Sequence, residues 1–243
     1  GSRRGLSRLV RENKMITTTQ IAPKIGLKVV ERSYNRKTGY TAGTYRITGP
    51  TCPKNCKFLT GEILNKHGKV VKCYTEKFPI SRHSAASDRN SDELGKLNHA
   101  PLVRHEMTGD SFKPTTDGRT VLDREHVRNK IEYHERHPNS IGWGYTHRSS
   151  AWDAAGLGPE AWPENFETLA SVDSIPDKIA ANAAGWRTAR IIQSVADKAA
   201  DETVCPYDAT KDAGKDPTKS GINCSSCRKC LPGQTYNIAF LPL

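Results

Sequence analysis

Long apolar runs are missing from this sequence: no stretch approaches the ~18 apolar residues of a membrane-spanning helix, so no membrane partner is expected. Also missing are the Gly-x-x-x-x-Gly-Lys loop that cradles phosphates, the His-Glu-x-x-His helix of zinc hydrolases and the Gly-x-Ser-x-Gly elbow of serine hydrolases. The reaction classes that depend on those arrangements are set aside with them. Apolar residues are scarce, at 35%, and aromatic ones scarcer, at 7%. A chain of 243 residues with that supply can bury one sizeable core, or a core plus a small metal-stapled appendage. Its 19 glycines and 14 prolines require long loops. Acidic residues are short as well: 26 Asp and Glu face 37 Lys and Arg, a formal net charge of +11. That excess predicts a polyanionic partner such as DNA, RNA or a nucleotide.

Cysteine, by contrast, is plentiful and patterned. Cys52, Cys56 and Cys73 fall in the first third, and Cys205, Cys224, Cys227 and Cys230 near the end. The last three follow a C-x2-C-x2-C spacing, which gathers thiolates into one small volume as iron–sulfur loops do. Cys205 is the natural fourth ligand, since the eighteen residues before Cys224 are rich in Asp, Lys, Gly and Pro and suit a loop folded onto a metal. Four thiolates suit an iron–sulfur cluster and also suit zinc. The first group has three sulfurs where a tetrahedral metal needs four ligands. It is therefore completed by another residue such as His83 or His105, left open for chemistry, or a set of structural thiols. An odd number of cysteines, the tight C-x2-C-x2-C run and the lack of a preceding apolar signal sequence disfavour disulfides and predict a reducing cytoplasm.

Residues 1–25, with Arg3, Arg4, Arg8, Arg11 and Lys14, read as a basic arm that either contacts phosphates or is simply solvated. Alternation over 28–48 predicts strand, turn, strand, delivering the chain into the Cys52–Cys56 loop. A Gly- and Lys-rich insertion, read as a hairpin, leads to Cys73. Further strands are predicted at 102–107, 141–148, 168–173 and 188–195. Helices are predicted at 88–97, 123–137 and 175–184, the last with Ser174 as cap, Pro176 in its first turn and Gly185 as stop. Strand, loop and helix alternate, which argues an α/β fold: a partial, open β/α barrel over 26–200 with a cysteine-rich metal loop as C-terminal cap over 201–243.

In a parallel sheet the loops after the strands share one rim. That rim would collect Cys52 and Cys56, then Arg104, His105, Gly109 and Asp110, then Tyr145 and His147, then Asp173. His105, Asp110 and His147 are the acid–base candidates. Arg104, Gly109, Asp110, Tyr145, His147 and Asp173 are the binding candidates. Blander roles stand beside these: histidines hydrogen-bonded for structure, Arg104 paired with Asp110, and aspartates capping helices. Trp143, Trp152, Trp162 and Trp186 are assigned mostly to the core.

With these residues in hand, the chain resembles a phage and plasmid family called gene product 88 and, more distantly, radical S-adenosylmethionine proteins with shortened β/α barrels. The resemblance rests on Thr51-Cys52-Pro53-Lys54-Asn55-Cys56, Cys73-Tyr74, Val103-Arg104-His105 with Gly109-Asp110, Gly144-Tyr145-Thr146-His147, and the four late cysteines. It implies that Cys52, Cys56 and Cys73 hold a [4Fe–4S] cluster whose open iron binds S-adenosylmethionine. Gly109-Asp110 would then lie near the methionine amine, and Cys205, Cys224, Cys227 and Cys230 would hold an auxiliary cluster. Tyr145, His147 and Asp173 would face substrate or nucleoside. The common radical enzymes carry C-x3-C-x2-C on one loop, whereas sixteen residues separate Cys56 from Cys73 here. The expected function is an iron–sulfur protein of this type in the cytoplasm of a host cell, acting on a nucleotide or nucleic acid. The alternative is a non-enzymatic iron–sulfur protein that binds nucleic acid or a host protein.

Overall fold

The computed structural model describes residues 25–54, 56–65, 67–73 and 91–242. Nearly all of the basic arm, as well as Tyr74 and His83, lie outside them. The predicted strand–turn–strand is an antiparallel hairpin of β1 (Lys28–Asn35) and β2 (Gly39–Tyr45). After β2 come the first cysteine loop and a one-turn helix, α1 (Lys57–Thr60). β3 (Leu102–Arg104) then pairs with β2 in parallel. A separate two-strand ladder, β4 (Phe112–Pro114) with β5 (Thr120–Leu122), leads into α2 (Arg124–Arg136). β6 (Ile141–Thr146), α3 (Ser149–Asp153), β7 (Phe166–Val172), α4 (Ile175–Ala183) and β8 (Thr188–Ile191) follow. The last segment supplies β9 (Glu202–Val204), α5 (Pro206–Asp212), α6 (Cys224–Cys227) and β10 (Asn237–Phe240).

Eight strands form one sheet in the order β1-β2-β3-β6-β7-β8-β10-β9, parallel everywhere except in the first hairpin. The fold is thus the α/β class expected, with a mostly parallel sheet. The segment that carries the four late cysteines also contributes β9 and β10 to that sheet, with β10 inserted between β8 and β9. β1 and β9 are the edges, and side chains bring the two ends of the sheet together. Lys37, in the turn after β1, lies 2.6 Å from Asp208 in α5 and 4.9 Å from the ring centroid of Phe240 in β10.

The two faces of the sheet are covered differently. Val127 and Ile131 of α2, Trp152 of α3 and Ala181 of α4 pack on Phe166, Ala170 and Val172 of β7. On the opposite face, Leu102, Trp143 and Leu231 cluster with Tyr145, Cys224 and Cys230, and Leu169, Ala189 and Ile238 continue the layer. The cysteine-rich segment therefore lies against the face that the helices leave free. Trp143, Trp152 and Trp186 are fully buried, as expected for a chain with few aromatics, each removing a large apolar area from water.

β6 shows how the sequence chooses faces. It alternates Ile-Gly-Trp-Gly-Tyr-Thr, putting bulk toward the cysteine segment and glycine toward α2. The space is taken: a Cβ on Gly142 would stand 2.1 Å from His134 Nε2. The helix predicted at 175–184 forms as the sequence implies, Ser174 Oγ accepting the Asp177 N–H at 3.2 Å. The strand predicted at 102–107 is shorter than expected. It stops at Arg104 because Glu106 adopts a positive φ of 42° and turns its carboxylate beneath the helices. Among the described residues, no helix is long and apolar enough to cross a membrane.

Candidate functional site

The loops after β2 and β3 are built against each other. Thr51 Oγ1 donates to the Ile47 carbonyl at 2.6 Å and accepts the Asp110 N–H at 3.0 Å. Gly109 makes this possible, with a φ of +76° and a missing Cβ that would fall 2.8 Å from the Arg46 carbonyl oxygen. Cys56 precedes α1, and the backbone N–H groups of Leu59 and Phe58 point to its sulfur. The chain then makes the expected hairpin in minimal form, with an antiparallel bridge of Leu64 to Val70 flanked by Val71 N–H to the Ile63 carbonyl at 2.7 Å and Asn65 N–H to the Lys69 carbonyl at 2.9 Å. Cys73 returns to α1, its N–H donating to the Phe58 carbonyl at 3.2 Å.

These three thiols and Asp110 are electrostatic neighbours. Burial raises the Cys52 thiol to about 12, and Asp110, Cys56 and Cys73 add to that. Burial also raises Cys56, with Cys73 and Asp110 contributing. Asp110 is itself buried, which pushes its carboxyl up, while the backbone N–H groups of His147 (3.1 Å) and Ser111 (2.7 Å) hold its oxygens. The His147 ring lies 4.0 Å from Asp110. Asp173, exposed at the end of β7, lies 3.9 Å from Lys57, the residue after Cys56. Cys52, Cys56, Cys73, Asp110, His147 and Asp173 thus gather at the rim.

His105, Arg104 and Tyr145 go elsewhere. His105 is buried, its Nε2 2.8 Å from His134 Nε2, and burial together with His134 drives its pKa well down. Arg104 pairs with no carboxylate among the described residues. It donates to the His105 carbonyl and stacks its guanidinium 4.3 Å above the Tyr145 ring. Both Arg104 and Tyr145 face the second cysteine group.

That second group lies on the helix-free face. Burial raises Cys224 to about 12, with Cys230 and Cys205 contributing, while Lys37 and Arg104 oppose the rise. Burial raises Cys205 to about 11, against the pull of Lys37. Burial likewise raises Cys230, against the Tyr145 hydroxyl hydrogen bond and the charges of Arg104 and Arg187. Desolvation works against the Lys37 charge, yet Asp208, Cys205 and Cys224 hold the ammonium firmly protonated. The loop itself is pinned by Arg187, which donates to the carbonyls of Lys229 (2.9 Å), Leu231 (3.0 Å) and Tyr236 (3.0 Å). At its start, Cys224 N–H donates to the Lys37 carbonyl at 2.8 Å, and Asn223 caps α6.

A buried network behind the rim escaped the sequence reading. Glu106 Oε1 accepts from His126 Nε2 (2.6 Å), Lys130 Nζ (2.7 Å) and Ser111 Oγ (2.8 Å). Burial works against the Glu106 charge, but Lys130 and His126 hold its carboxyl well below the usual range. The legible signal was the four-residue spacing of His126, Lys130 and His134 along α2, which puts three polar groups on the helix face that also carries Val127 and Ile131.

No disulfide joins any of the seven cysteines. Among the described residues, no three His, Cys, Asp or Glu side chains converge as they stand on a point that could hold a metal ion. The donor set nevertheless has the chemistry a thiophilic metal requires: thiols in mutual electrostatic contact, backbone N–H groups aimed at sulfur, and cations facing the second group. No family model matches the chain, and comparisons with curated proteins and with solved structures likewise find no match.

Proposed function

We propose that this chain is an iron–sulfur protein of phage or mobile-element type, resembling radical S-adenosylmethionine enzymes that act on a nucleotide or nucleic acid in the host cytoplasm. The observation that carries the reading is the division of the seven thiols into a rim set and a sheet-face set, each electrostatically coupled within itself. Cys205, Cys224, Cys227 and Cys230 would hold one [4Fe–4S] cluster, or zinc in its place, and Cys52, Cys56 and Cys73 a second cluster. A cluster on three thiolates supplies an electron and one open iron, where the amino and carboxylate groups of S-adenosylmethionine bind in the enzymes it resembles.

The residues around the rim have separable roles in this reading. Asp110 offers a fixed carboxylate, with both oxygens held by backbone N–H groups. His147 stands beside it with its ring half-buried and able to carry a proton to or from a bound substrate. Lys57 and Asp173 bring opposite charges to the mouth.

Anaerobic reconstitution should yield a brown protein containing iron and sulfide, and dithionite with S-adenosylmethionine should release 5′-deoxyadenosine. Cys73→Ser should abolish that release while about four irons per chain remain on the late cysteines. A fully loaded protein that releases no 5′-deoxyadenosine sinks the radical reading. A colourless, iron-free protein prepared without oxygen favours zinc. The excess of 37 Lys and Arg over 26 Asp and Glu supports the second reading, a non-enzymatic iron–sulfur protein that binds nucleic acid or a host protein.

A further inference from the structure

We infer that the outer end of the β1–β2 hairpin is a stacking platform for single-stranded nucleic acid, formed by Tyr34 and Tyr40 with Arg32 and Arg36 beside them. The tyrosines pair directly across the hairpin, their ring centroids 4.8 Å apart and their planes tilted by 45°. They are 60% and 75% exposed, and among the described residues they are the only exposed large aromatics. The rest of β2 is buried, so Tyr40 is the one position of that strand turned out to water. The turn of 3-10 helix at Ser91–Leu97 covers the inner half of the hairpin through Leu94 and Leu97, which pack with Val29 and Ala42, and stops short of the tyrosines. Two large rings thus stay wet at the end of an edge strand, beside a cover that reaches only half of it.

The charge around them selects the occupant. Arg32 on β1 and Arg36 in the turn are exposed, and neither is in a close ion pair among the described residues. Unpaired bases stack on aromatic faces without regard to sequence, and guanidinium groups take the intervening phosphates. A duplex hides its base faces in its own stack and offers these rings nothing to stack on. Arg36 feels the Asp216 carboxylate without closing an ion pair on it, and an apolar protein partner would offer neither arginine a further counter-charge. The platform is remote from any assumption about metal, so it stands or falls separately from the thiolate centres.

The test uses the full chain and a labelled oligothymidylate of about fifteen residues, within the range of known single-strand site sizes. Tyr34→Ala with Tyr40→Ala should weaken binding more than tenfold at fixed salt, and Tyr34→Phe with Tyr40→Phe should retain it. Arg32→Gln with Arg36→Gln should flatten the slope of log affinity against log salt by about 1.4. Circular dichroism should be unchanged in all three, and melting should shift little, the alanine pair losing only the cross-strand contact of its rings. Unaltered affinity in the alanine pair, no binding by the wild type, or equal affinity for a duplex of the same length overturns the inference.

Discussion

The two faces of the sheet bury charge in opposite ways. Beneath the helices, Glu106 is answered on the spot by Lys130, His126 and Ser111, so the cluster is neutralised by the protein alone. On the other face, Lys37 and Arg104 point toward thiols, and Lys37 is paired with Asp208 at 2.6 Å besides. Arg104 has a carbonyl and a ring for partners and no carboxylate among the described residues. A buried ion pair completed by protein is a structural device, whereas the cations beside the thiols ease their ionisation against the cost of burial. The rim set differs again: there a carboxylate, Asp110, stands near Cys52 and Cys56 and opposes thiolate formation at both.

The contrast breaks most severely at Lys130. Lys130→Ala takes the ammonium away from the buried Glu106 carboxylate and leaves it only the hydrogen bonds of His126 and Ser111, and a loss of about 3–5 kcal/mol in denaturant unfolding is expected. If Lys130→Ala melts like the wild type, the helix-side network contributes little and the comparison loses one arm.

Acid is the next lever. His134 Nδ1 donates to the Ser140 carbonyl at 2.9 Å, so its Nε2 is the acceptor for His105 Nε2–H. Protonating His134 puts two N–H groups face to face. Burial lowers its pKa to about 4 from the ordinary 6.5, and burial lowers His126 to about 4 also. The unfolded chain therefore takes up these protons first as pH falls. Stability present above pH 6.5 should decline steadily toward pH 4, with each unit of pKa difference worth about 1.4 kcal/mol. Glu106 adds a further loss of the same sign below its ordinary pKa of 4.5, because its carboxyl is depressed in the fold. A flat stability profile between pH 6.5 and 4 contradicts the assignment.

Gly142→Ala comes third. Its new Cβ meets His134 Nε2, and shifting the ring to make room breaks the His105 hydrogen bond, for an expected cost of about 1–3 kcal/mol. The smallest effect sharpens the comparison from outside: Lys57→Ala, removing an exposed pair with Asp173, should change stability by roughly 0.5 kcal/mol or less. A larger loss there would mean that the rim is held together by surface charge instead of by the loop contacts of Thr51 and Gly109.

Much of this architecture could be read in advance because it is written in local periods. The hairpin at 28–48, the helix on Val127 and Ile131, and the Ser174 cap all lie within spans where alternation or a 3.6 repeat is visible. β4, β5, β9 and β10 were not read; they are as short as β3 and β8, but no alternating stretch around them in the sequence extends beyond the few paired residues. The split of Arg104 from His105 was equally invisible. Neighbours on a strand face opposite sides of a sheet, but which side carries thiols is not written in either residue.

Composition and spacing alone determined that this chain would form an α/β protein with its cysteines in sets of three and four, because strand and helix periods and ligand spacings are local properties. Only the tertiary structure decided that Cys73 returns to Cys56, that β10 enters between β8 and β9, and that Glu106 is held by Lys130. Those pairings join residues far apart in the chain, and they are selected by what each face of the sheet must bury and neutralise.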